Sequence, residues 1–152
     1  MRRKEKEITE ASAIEAIIKK SLVCRLALSD DNSPYIVPLC FGYRDRVLYF
    51  HGSLKGKKAD IIKKNQKVCF EFDINTEIVK AEDACHWSVK YQSVIGFGKA
   101  VLLEDVEEKG KALNIIMSQY SDRSFQFNDA ILKKMAVIKV EIESMTGKQS
   151  GL

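Results

Sequence analysis

Between Lys67 and Asp73 apolar and polar side chains alternate one by one, with Val68, Phe70 and Phe72 set against Cys69, Glu71 and Asp73. Successive strand residues point to opposite faces, so a period of two predicts a strand with one buried face. The same period runs through "SLVCRLALSD", where Leu22, Cys24, Leu26 and Leu28 share one face and Val23, Arg25, Ala27 and Ser29 the other. It returns in "MAVIKVEIES", where Ala136, Ile138, Val140 and Ile142 alternate with more polar neighbours. "YIVPLCFGY", "VLYFHG" and "YQSVIGFGKAVLLED" are strand-like as well. Pro38 cannot donate to a ladder, which predicts an edge, a bulge, or the approach of something other than a strand. Gly96 and Gly98 predict strong curvature or the close approach of another group.

The period changes to that of a helix in three places. Thr9 is a plausible N-cap before "EASAIEAIIKK", whose Ile14, Ile17 and Ile18 form an apolar stripe. Leu54, Lys58, Ile61 and Ile62 define a second stripe that leaves Lys55, Lys57, Lys63 and Lys64 in water. Asp105 with Glu108 resembles a capping box, and Val106, Gly110, Leu113, Met117 and Tyr120 share one helical face behind it. Ser29 to Pro34 and "YRDR" read as turns, Ser121 to Asn128 as a loop, and Asn75 to Asp83 as polar chain without a clear period. Six strands in mostly hairpin order, with three helices filling gaps, predict a mainly β, α+β fold whose antiparallel sheet curls into a barrel. Residues 1–152 read as one domain, without repeats or a linker.

Composition narrows the function classes. No apolar run approaches the roughly 20 residues of a membrane span. The basic start, Met1-Arg2-Arg3-Lys4, lacks the apolar core of a signal peptide, so a cytoplasmic location is expected. Cys24, Cys40, Cys69 and Cys85 contain no C-x-x-C pair, three of them fall in strand-like runs, and they read as buried thiols in a reducing compartment. Cys85 and His86 are the only adjacent soft ligands, and as neighbours they cannot easily share one ion, so no metal is expected. A net charge of +4 is mild, and its bases are interleaved with acids except from Lys55 to Lys67. One local basic patch points to a small anion rather than to nucleic acid.

That patch lies in "LYFHGSLKGKKADIIKKN", where a strand breaks at His51-Gly52-Ser53 and becomes a lysine-rich helix. Lysines at a helix N-terminus oppose its dipole, whereas a phosphate there would meet unpaired N–H groups, with Gly52 and Gly56 letting it approach the backbone. The alternative is an ordinary turn followed by a solvated helix. Arg25 is either exposed or, beside an anion site, a bidentate phosphate ligand. "ACHWSVKYQSVIGFG" combines the only Trp, Trp87, with Cys85, His86, Tyr91 and Ser93; Trp87 either packs or walls off a planar ligand. His51 is either a hydrogen-bonded structural residue or, near a cofactor, a proton donor, since histidine changes charge near neutral pH.

Taken in order, "CRLAL", "PYIVPLCFGY", "LYFHGSLKGKKADIIKKN", "VCFEFD", "ACHWSVKYQSVIGFGKA" and "VIKVEIESMTGK" resemble the nitroimidazole-resistance branch of the pyridoxamine 5'-phosphate oxidase-like, FMN-binding split-barrel proteins. The resemblance covers nearly the whole chain. It implies a six-stranded antiparallel Greek-key split barrel and a homodimer with FMN in a groove between subunits. It also implies a phosphate near Arg25, Ser53, Lys57 and Lys58, and a flavin ring against Val37, Pro38 and Leu39, largely through backbone. With Gly52, Gly56, Trp87, Tyr91, Ser93 and His51 these make up the expected cofactor site, and His51 is also the expected catalytic residue. The chain departs from the branch pattern where Gly52 separates His51 from Ser53 and where His86 follows Cys85; both changes would be felt on the substrate side of the flavin. The implied activity is an FMN-dependent reduction of a small oxidised substrate such as a nitro compound. The alternatives are a non-catalytic FMN store or sensor, and a related barrel holding haem or a deazaflavin.

Overall fold

A computed structural model describes residues 4–151. A 3-10 turn at Lys4–Lys6 leads into β1 (Glu7–Ile8), α1 (Ala11–Lys20), β2 (Cys24–Asp30), β3 (Ser33–Leu39), β4 (Gly42–Arg44), β5 (Val47–Ser53) and α2 (Lys57–Lys64). β6 (Lys67–Val79), a 3-10 turn at Ala84–His86, β7 (Ser88–Leu102), α3 (Val106–Ser118), α4 (Asp129–Lys133) and β8 (Met135–Ser150) complete the chain. All pairings are antiparallel, in the order β3-β2-β6-β7-β8-β5-β4, with β1 added on β8. The path begins at β3 and ends at β4, so the curled sheet is a split barrel, and Pro38 lies on an edge strand as its missing N–H requires.

The alternation read in the sequence becomes the core. Cys24, Leu26, Leu28, Leu48, Phe50, Val68, Phe70, Phe72, Val94, Ala100, Ile138 and Val140 are buried, and Ile14, Ile17 and Ile18 of α1 with Ile61 and Ile62 of α2 cover them. Gly96 is required by the Phe70 ring: a Cβ there would overlap the ring's edge. Phe70 is itself fully buried and packs edge-on to Phe72, so it cannot give way. Gly96→Ala should therefore cost about 1–3 kcal/mol, the usual penalty of overpacking a filled core. A denaturant midpoint lowered at constant slope would register it.

Several expectations are corrected. Thr9 is not the N-cap of α1; Glu10 is, without a side-chain cap, because β1 pairs with Gly147 and Lys148 and fixes the entry to the helix by strand pairing. Leu22 precedes β2 and is 70% exposed, so it leaves the buried face to Cys24, Leu26 and Leu28. "YIVPLCFGY" splits at Cys40 and Phe41 into β3 and β4, and with β1 this raises the strand number from the expected six to eight. Asn75 to Asp83 is not all loop, since β6 continues to Val79 across a register shift between Ile74 and Glu77, where Asn75 takes φ 57°. That bulge is what scrambles the alternation. The second stripe is Ala59, Ile61 and Ile62; Leu54 lies outside the helix and is exposed.

Asp105 does cap α3, its Oδ2 accepting from the Glu108 N–H at 2.9 Å. The buried face of α3 is Lys109, Ala112, Leu113, Ile115 and Ile116; of the expected stripe Leu113 is buried and Val106 packs half-buried against the same cluster, while Tyr120 is exposed. Part of the cover of α3 is a fourth helix, α4, which falls in the expected loop region's wake and is capped by Asn128. Lys109 can be buried there because its Nζ donates to the carbonyls of Leu132, at 3.2 Å, and Met135, at 2.9 Å. Of the cysteines only Cys24 is buried, where burial pushes its thiol pKa up; Cys69 is half-buried, and Cys40 and Cys85, which lie outside the strands, are exposed.

Candidate functional site

The β5–α2 junction gathers the lysines. β5 points Leu48 and Phe50 into the core, and its end turns at Ser53, whose hydroxyl accepts from the Lys55 N–H at 3.2 Å. Gly56 is the N-cap of α2 and has no side-chain oxygen to offer, so the first-turn N–H groups lack a side-chain cap. Lys57 and Lys58 occupy that turn. The Lys58 chain lies across Gly52, where a Cβ would stand 3.6 Å from its Cε and 3.8 Å from its Nζ. At Gly56 the nearest atom to such a Cβ is 3.8 Å away. These are ordinary van der Waals distances, so neither glycine is demanded by the protein's own packing. Lys57 Nζ stands 4.9 Å from the centroid of the Tyr35 ring.

A second group lies on the outward face of the sheet. Register sets Pro38, Arg25, Glu71, Ile95 and Thr146 side by side across β3, β2, β6, β7 and β8, and Ile36, Ala27, Cys69, Phe97 and Ser144 in the adjacent row. Ile36, Phe97 and Ile95 are 62%, 55% and 45% exposed, a contiguous apolar surface rather than scattered residues. Arg25 Nη1 donates to Glu71 Oε2 at 3.0 Å and also to Asp73 Oδ1. The hydrogen bond to Glu71 raises the Arg25 pKa, with Asp73 adding to the rise. Burial pushes the Glu71 carboxyl up, against the pull of Arg25, and the like charge of Asp73 pushes it further. Ser93 lies opposite Asp73 on this face, and Tyr91 precedes it by two residues on β7, with Lys148 Nζ 5.7 Å from the Tyr91 ring centroid. Trp87 is exposed just after the Ala84–His86 turn.

The expected site residues thus fall into two sets. Gly52, Ser53, Gly56, Lys57 and Lys58 come together, and Val37 and Leu39 turn their side chains into the core, so that β3 offers an outside ligand its backbone and Pro38. Arg25 points outward from β2 to a pair of carboxylates, whereas Lys57 stands over Tyr35, a core-side residue opposite buried Leu28. Ser93 and Tyr91 share Arg25's face. His51 is exposed and, by alternation along β5, points outward with Tyr49, away from Phe50. Sequence reasoning missed Tyr35, Glu71 and Asp73. The alternation of "VCFEFD" does put both acids on one face, but their meeting with Arg25 depends on a strand pairing that joins distant parts of the chain. Cys85 Sγ lies 3.6 Å from His86 Nδ1. Among the described residues no group of three or more His, Cys, Asp or Glu side chains converges to hold a metal ion. No described helix is long and apolar enough to cross a membrane.

Residues 10–149 match the pyridoxamine 5'-phosphate oxidase family. A candidate 5-nitroimidazole antibiotic resistance protein from Bacteroides thetaiotaomicron VPI-5482 is 34% identical and superposes with a TM-score of 0.85 over 94% of this chain and 86% of that one. The flavocytochrome Anf3 from Azotobacter vinelandii shares the fold at 18% identity, with a TM-score of 0.87 over 100% of this chain and 72% of that one. So does the FAD and haem binding protein from Mycobacterium smegmatis, at 17% identity and a TM-score of 0.84 over 97% and 74%. No curated protein matches the chain. The order of motifs, the split barrel and the near-complete match agree: the chain belongs to the pyridoxamine 5'-phosphate oxidase family, in its nitroimidazole-resistance-like branch.

Proposed function

We propose that the protein binds FMN as a homodimer and reduces a small oxidised substrate of the nitroaromatic class. The observation that carries this reading is the start of α2: two lysines against the helix dipole, a first turn without a side-chain cap, and two glycines that internal packing does not require. A phosphomonoester fits there, because it would accept from the open N–H groups and from Lys57 and Lys58. The Ser53 hydroxyl borders the same turn. The β3 edge, with Pro38 outward, supports a flat ring lying along its backbone.

A second copy supplies the other wall. Arg25, Tyr91 and Ser93 face outward on the sheet while the lysines stand on the α2 side, which supports two copies rather than one wrapping both sets around a ligand. The exposed row of Ile36 and Phe97, flanked by Ile95, is the surface such a partner would cover, with Trp87 closing the groove. When bound, FMN would take a hydride from a nicotinamide donor and pass it to the substrate. The protein's part is to hold the phosphate, to cover the ring with the partner's aromatic side chains and to provide a proton. His51 is the proton donor in this reading, being exposed at the end of β5 one residue from the phosphate turn.

The test is His51→Ala, assayed with a nitroaromatic acceptor and either NADPH or dithionite-reduced protein. The variant should stay flavin-loaded and dimeric and lose about a hundredfold in turnover, the lower range for removing a general acid. Loss of flavin would make His51 a cofactor ligand instead, and unchanged turnover would remove it from the mechanism.

A further inference from the structure

We infer that Tyr35 is a positioning residue for the cofactor phosphate, acting through Lys57; this rests on the FMN reading above. Lys57 is an exposed lysine on the first turn of α2, where the helix dipole and neighbouring Lys58 both repel its charge. A long, flexible side chain in that position would spend most of its time elsewhere in water. The Tyr35 ring gives it a place, with its centroid 4.9 Å from the Lys57 Nζ, within the range of a cation–π contact.

The ring is the fixed member of the pair. Tyr35 is held in β3 opposite Leu28, is half-buried and packs against the core cluster, so its orientation is set by the barrel and not by the lysine. The nature of the contact matters as much as its geometry. Lys90, Lys111 and Lys139 are placed by Glu77, Glu107 and Glu141, and Arg25 by Glu71 and Asp73; in each case the partner cancels the charge. An aromatic face localises an ammonium without neutralising it. Lys57, on the first turn of α2 with Asp60 at that turn's end, is thus localised without an ion-pair partner in contact, and part of the ordering cost of binding an anion is met beforehand.

Binding of FMN and of riboflavin, which lacks the phosphate, separates this role from simple packing. Tyr35→Leu should weaken FMN about two- to fivefold, the range of an exposed cation–π contact, and leave riboflavin unchanged. Tyr35→Phe, which keeps ring and packing, should bind FMN like the parent. In a Lys57→Met background Tyr35→Leu should have no further effect, since the lysine through which it acts is gone. An equal loss with and without Lys57, an equal loss for riboflavin and FMN, or no loss at all would overturn the inference while leaving the FMN site standing. A parent protein that binds FMN no better than riboflavin would overturn the site and the inference together.

Discussion

Replacing Lys57 and Lys58 together by methionine is expected to weaken FMN binding by about a hundredfold and to leave riboflavin binding unchanged. Hydrogen bonds to charged groups contribute about 1.5–3 kcal/mol each, and two such contacts, discounted for exposure to solvent and salt, leave roughly 2.7 kcal/mol, or two powers of ten. Methionine keeps the chain length and a good helix propensity. Removing two positive charges from the dipole's positive end favours α2. A fall in affinity therefore cannot be put down to a melted helix. The measurement is a pair of fluorescence titrations, FMN and riboflavin, on parent and variant. Raising the salt concentration should erode the parent's preference for FMN and hardly touch the variant's weaker binding.

Phe97→Glu is expected to produce a folded monomer that has lost its flavin. Phe97 is 55% exposed on β7, opposite Cys69 and in the row of Ile36 and Ala27, so the barrel's own core does not depend on it. Circular dichroism should stay that of the parent. On association, however, a carboxylate would be carried into an apolar contact without a partner, at a cost of several kcal/mol. That corresponds to at least about a thousandfold in the dimer dissociation constant. Light scattering at micromolar concentration should report one chain instead of two. Flavin loss with dimer loss would tie the outward sheet face to the cofactor, whereas a flavin-loaded monomer would contradict a site shared between copies.

The core of this protein was legible because burial repeats with the period of the element that produces it. Val68, Phe70 and Phe72 could be assigned inward, and Arg25, Glu71 and Asp73 outward, without coordinates. Boundaries were less legible where backbone irregularity broke the period, as at Asn75, or where a strand pairing did the work expected of a cap, as at Glu10. The candidate site divides along the same line. The lysine turn lies within one short segment, so its chemistry could be read locally. The surroundings of Arg25 depend on β2 pairing with β6, and those of Lys57 on the side of β3 that Tyr35 occupies, and neither register is written in any local pattern. In the sequence Arg25 reads either as an exposed side chain or as a phosphate ligand, and only the fold shows that Glu71 and Asp73 accept hydrogen bonds from it.

The most direct test of the account is a visible absorption spectrum of the protein as purified, with mass spectrometry of whatever denaturation releases and light scattering on the same sample. The expected result is a yellow dimer that releases FMN in an amount equal to its chains, or a colourless dimer that takes up FMN to that ratio and prefers it to riboflavin. A haem spectrum, a released deazaflavin, or a protein that fails to bind FMN at all would contradict it.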